Sequence, residues 1–109
     1  MVMIKYNANI DNKAIEYNLK RLTNQIYKLL PTREESIDWQ KPLETVIEEL
    51  AGMDMLLIDQ HEILFSLLCK LQGLSALTDE NDFTLFRRII FECLGLMSTL
   101  KNNVLSYSE

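Results

Sequence analysis

From residue 11 onward the chain alternates apolar and polar positions at helical spacing. Ile15, Leu19, Leu22, Ile26 and Leu29 follow one another at steps of four, three, four and three, which gathers them on one face of a helix. Asp11 supplies an N-cap, and Pro31 predicts the end, because the residue before a proline is steered away from helical backbone. A first helix is expected over about 11–30. From Leu43 a longer series begins: Leu43, Val46, Leu50, Met53, Leu57, Gln60, Leu64, Leu67 and Leu71 alternate steps of three and four, with Gln60 the one polar member. It predicts a single central helix over about 42–72, roughly 45 Å long at 1.5 Å per residue. Pro42 fits its first turn, where a missing N–H costs nothing. Asp59 with Glu62 matches a capping box, so a kink near residue 59 is the competing expectation.

The connectors are short. Thr32 and Glu35 match another capping box, which predicts a short helical turn in 31–41. Gly73 is expected to stop the central helix, and residues 75–82 offer several N-caps. A third helix over about 80–102 carries Phe86, Ile89, Ile90, Cys93, Met97 and Leu100 on its apolar face, and Asn102-Asn103 should end it. Residues 1–10 alternate weakly and read as an extended arm, and 103–109 as a tail. The expected fold is therefore all-α, a single domain over residues 1–109 built as a three-helix bundle with a long central helix.

That central helix is too apolar for such a bundle. On a wheel, Asp59, Glu62, Ser66 and Lys70 occupy a polar strip only about 80° wide, and large apolar residues fill most of the rest. Two neighbouring helices cannot cover this circumference. Each large side chain left uncovered forgoes roughly 1.5–3 kcal/mol. The pattern thus predicts a homodimer, with Leu57, Ile58, His61, Leu64, Phe65 and Leu68 at the interface. His61, the only histidine, is expected inside that apolar surface. A phosphotransfer role would need a Lys and a small residue just behind an exposed histidine, whereas Glu62-Ile63-Leu64-Phe65 follows here.

Charge changes the picture next. Eleven basic and sixteen acidic residues give a net −5, which argues against direct nucleic-acid binding or an anionic membrane surface. The distribution is uneven: residues 1–31 carry +3, 32–62 carry −7 and 63–109 carry −1. Glu34, Glu35, Asp38, Glu44, Glu48 and Glu49 are the candidate acidic surface. They would either lie beside the basic first helix or face a partner protein with a basic surface. No apolar run exceeds four residues, Met55 to Ile58, too short for a membrane span. No signal peptide is visible at the N-terminus, so a cytoplasmic location is expected.

Little catalytic chemistry is marked. Cys69 and Cys93 fall in apolar helical patterns and read as buried, reduced thiols. With one histidine they form no zinc-type ligand set, and neither a metal nor a cofactor is expected. Trp39 should anchor its connector on the core. Of Arg87 and Arg88, one is expected to face solvent and the other an acidic neighbour. Val46-Ile47-Glu48-Glu49-Leu50-Ala51-Gly52-Met53-Asp54 resembles the second carboxylate motif of the MazG-like nucleotide pyrophosphohydrolases, whose helical bundles hold Mg²⁺ between paired acidic motifs. The match departs at Ala51 or Gly52, where the family motif has an aspartate. The only earlier acidic pair at the right step, Glu35 with Asp38, lies in a connector. The primary expectation is a non-enzymatic interaction module: an assembly, adaptor or inhibitor protein of the size and acidity that suit a bacterial, phage or mobile-element accessory protein. A MazG-like hydrolase is the alternative.

Overall fold

A computed structural model describes residues 12–35, 38–54 and 57–106, so the expected arm over 1–10 lies outside the described residues. Among these residues the structure is helical throughout its elements: α1 (Asn12–Glu34), α2 (Gln40–Met53), α3 (His61–Leu74) and α4 (Phe83–Ser106), with single 3-10 turns at Ile58–Gln60 and Glu80–Asp82. Each helix packs on its neighbours in sequence, and α4 closes the ring against α1. Contacts between distant parts of the chain fix the directions. Arg21 in the first half of α1 meets Glu49 late in α2, Gln40 at the start of α2 reaches Ser75 just past α3, and Asn103 late in α4 meets Gln60 just before α3. The result is an up-and-down four-helix bundle.

The expected single central helix is replaced by two, α2 and α3, folded back on each other. Asp54 caps α2 through its N–H to the carbonyl of Ala51. The N–H of Gln60 then bonds the carbonyl of Leu57 at 2.9 Å and makes the 3-10 turn that opens α3. The physical reason is the apolar circumference itself. A straight helix would leave much of it uncovered, whereas folding it in half lets each half bury a narrow stripe. Leu43, Val46 and Leu50 of α2 and Leu64, Leu67, Leu71 and Leu74 of α3 are essentially inaccessible, as is Leu57 between them. Only Met53 of the apolar series is half-buried.

Gln60 is also buried, and its carbonyl accepts from the Asn103 side-chain amide at 3.0 Å. This contact accounts for a second correction. The last helix does not stop at Asn102-Asn103 but continues to Ser106, because Asn103 is paired and Val104 is buried. Residues 103–106 are therefore helix, not tail. At its other end, Asp79 forms a capping box with Asp82, accepting from the Asn81 N–H at 3.0 Å, and launches the turn that feeds α4.

Pro31 does not end α1. The helix runs on to Glu34, with the Glu35 N–H bonded to the Pro31 carbonyl at 2.9 Å. Thr32 caps no new turn, since its hydroxyl donates to the Lys28 carbonyl one turn back. The extension is held by Arg33. Its guanidinium is buried among the rings of Trp39, Phe83 and Phe86, 5.6, 5.6 and 4.9 Å from their centres. It donates to the Leu77 carbonyl at 2.6 and 3.1 Å and to the Asp79 carbonyl at 2.8 Å. A preference against helix before proline is outweighed by these charge-assisted bonds. Gly73 likewise lies inside the last turn of α3, which ends one residue later at Leu74.

Candidate interaction faces

The outward surface of α2 and α3 holds the first candidate. Pro42, Thr45 and Glu49 turn toward α1, so the opposite flank of α2, with Glu44, Ile47 and Ala51, borders α3. Lys70 reaches across to Glu92 of α4 at 3.0 Å, which leaves the α2 side of α3 to His61, Phe65 and Leu68. Phe65 is 61% exposed and stacks on the His61 ring, 6.4 Å between centres. Leu68 and Ile47 are half-buried and pack against the core. His61 is not interior, as the apolar pattern suggested. Its side chain is 65% exposed, and Nδ1 lies 2.9 Å from a carboxylate oxygen of Asp54. The break at 54–60 puts His61 in the first turn of α3, directly across the connector from the end of α2.

The six expected interface residues therefore separate. Leu57 and Leu64 are inaccessible within the single chain; His61, Phe65 and Leu68 share one outward flank. The Ile58 side chain lies outside the described residues. Among the acidic candidates, Glu44 and Glu48 are exposed on α2, while Glu49 turns inward and meets Arg21 at 3.1 Å. Glu34 and Glu35 lie at the end of α1 and Asp38 precedes α2, all exposed. Among the described residues no group of three His, Cys, Asp or Glu side chains could hold a metal ion. Glu49 is held by Arg21 while Glu48 is exposed on α2, so the residues of the MazG-like stretch belong to no such group.

The second candidate lies on the opposite side of the bundle, between α1 and α4. Tyr27, Leu30, Pro31 and Glu34 of α1 and Phe83, Arg87 and Phe91 of α4 line an open groove of about 480 Å³. Tyr27 and Phe91 are half exposed, and the Arg87 guanidinium sits 5.4 Å from the centre of the Phe91 ring. Arg88 is exposed as well; the acidic neighbour expected for one of this arginine pair is replaced by an aromatic ring. The signals were present as isolated large aromatics, Tyr27 and Phe91, off the apolar stripes. Which two helices would be neighbours was not readable from either stripe.

Pairing α1 with α4 also sorts the charge. These two helices carry eight basic and three acidic residues, a net +5, whereas residues 40–74 carry two basic and six acidic, a net −4. The bundle has a basic half and an acidic half. Arg21–Glu49 and Lys70–Glu92 tie them together along the two seams.

The cysteines differ from the expected buried pair. Cys93 is buried, and loss of hydration pushes its thiol up to about 12, whereas Cys69 is exposed on α3. Both are free thiols. Trp39, as expected, is packed on the core, edge-on to Phe86 at 5.1 Å.

No helix among the described residues is long and apolar enough to cross a membrane. Compared with known protein families, curated proteins and solved structures, the chain shows no match.

Proposed function

We propose that this all-α bundle is a non-enzymatic protein-interaction module, an assembly or adaptor protein of the cytoplasm that associates with itself through the α2–α3 face. The observation that carries this reading is the Phe65 ring, 61% exposed and stacked on His61, on a helix flank it shares with half-buried Leu68. A large aromatic on a rigid helix loses little conformational freedom on binding, and such residues anchor interfaces. Burying it contributes about 1.5–3 kcal/mol. The same face carries outward Glu44 and Glu48, which also suit a partner protein with a basic surface; an inhibitor that covers such a surface is one version of that role.

Sedimentation or light scattering of the full chain tests this. The expected mass exceeds that of the 12.7 kDa monomer at tens to hundreds of micromolar. Phe65→Asp should return it to monomer with its helical circular dichroism unchanged. A strictly monomeric wild-type chain at high micromolar concentration would remove self-association from the reading. Mg²⁺-dependent nucleoside triphosphate hydrolysis that is lost in Glu48→Gln would overturn its non-enzymatic character.

A further inference from the structure

We infer that the copies join head to tail, the α2–α3 face of one chain seating in the α1–α4 groove of the next. This inference rests on self-association and adds which surfaces meet. An isologous contact through α2–α3 would place each copy's Glu44 and Glu48 against those of a face that is itself net negative, and like charges across an interface are unfavourable. The groove on the opposite side offers the complement. The helices that form it are net +5 against −4 for the 40–74 half, with Arg33 among their basic residues buried, and its lining holds one cation, Arg87 beside Phe91, and one carboxylate, Glu34. The apolar chemistry matches too. The groove is open, about 480 Å³, and Leu30, Tyr27 and Phe91 are among its lining, so its volume has room for the projecting Phe65 ring. Because the two contacting faces lie on opposite sides of one bundle, every bound copy presents a fresh face of each kind. Such heterologous contacts propagate until they close into a ring or extend as a filament.

The experiment uses the full chain and two surface variants. One has a disabled groove, Arg87→Glu with Phe91→Asp; the other has a disabled α2–α3 face, Glu44→Lys with Phe65→Asp. All four positions are exposed, and thermal melts confirm that each variant folds. The wild-type mass is expected to rise past that of a dimer with concentration and to fall as salt increases from about 50 to 500 mM, where charge interactions are screened. Each variant alone is expected to be a monomer, and an equimolar mixture should form a one-to-one dimer of about twice 12.7 kDa and stop there. If the groove variant associates as well as the wild type while the other is monomeric, α2–α3 pairs with its own twin. That result overturns the head-to-tail arrangement and leaves self-association standing. A mixture that stays monomeric also overturns the arrangement. A monomeric wild type overturns both.

Discussion

Buried polar and reactive side chains carry much of what is specific to this bundle. Gln60 interrupts an otherwise leucine-rich series and is buried, yet it is no defect, because Asn103 supplies its amide across the bundle at 3.0 Å. A buried polar group is tolerated when its partner is in place. The two thiols show the reverse contrast of environment. Cys93 has its thiol near 12 because burial penalises the thiolate, whereas the ordinary value is 9.0. Thiolate is the reactive form. One equivalent of a thiol reagent should therefore react with the native chain near pH 8, at Cys69, and the second only after denaturation. Fast labelling of both in the native state would contradict the buried placement. The linkage has a definite sign. Below pH 9 the Cys93 thiol is neutral in both folded and unfolded chains, and between about 9 and 12 only the unfolded chain ionises. Stability therefore falls through that window as pH rises.

At the scale of elements, the apolar spacing identified the core well and the helix ends poorly. Ile15, Leu19, Leu22, Ile26 and Leu29, and the later series from Leu43 to Leu71, are buried almost without exception. The break between α2 and α3 was hidden for a geometric reason. Residues 54–60 span seven positions, one full heptad, so the stripes on either side stay in step whether the chain continues straight or doubles back. Asp59 and Glu62 hinted at the break, and the uncovered circumference gave its cause, but the pattern alone favoured one long helix. At Pro31 the local backbone preference points to a helix end, and a distant contact, Arg33 with Leu77 and Asp79, decides otherwise. Proline still has a cost there, because it offers no N–H to the Tyr27 carbonyl. Pro31→Ala should raise stability by about 1–3 kcal/mol, seen as a higher urea midpoint at unchanged slope. An unchanged or lower midpoint would show that the extension beyond residue 30 is not strained by the ring.

For the molecule as a whole, chain folding converts an unremarkable composition into polarity. Net −5 describes the sequence, but the closure of α4 on α1 puts Arg87, Arg88 and Lys101 on the same half as Lys20 and Lys28. Segment charges read along the chain could not show this, because residues 63–109 are nearly neutral and divide between the two halves. The candidate faces were legible to a similar degree. His61, Phe65 and Leu68 were picked out by their apolar surroundings, while Leu57 and Leu64 were claimed by the chain's own core. The α1–α4 groove required knowing which helices are neighbours.

Arg33 has a consequence for the order in which the bundle opens. Its side chain joins the end of α1, Trp39 ahead of α2, the α3–α4 connector and the first turns of α4, so that end cannot loosen one helix at a time without stripping a buried cation of its partners. The opposite end has the neutral Gln60–Asn103 contact and the exposed Asp54–His61 pair, which are weaker restraints. Native-state hydrogen exchange should find the slowest amides near Leu29–Arg33 and Phe86–Ile90, exchanging only through global unfolding, and faster ones around Ile15 and Leu100 that open sub-globally. Equal protection at both ends would show that the arginine adds nothing to local cohesion. With it, the behaviour expected is that of a clasped bundle of rods, looser at one tip and shut at the other.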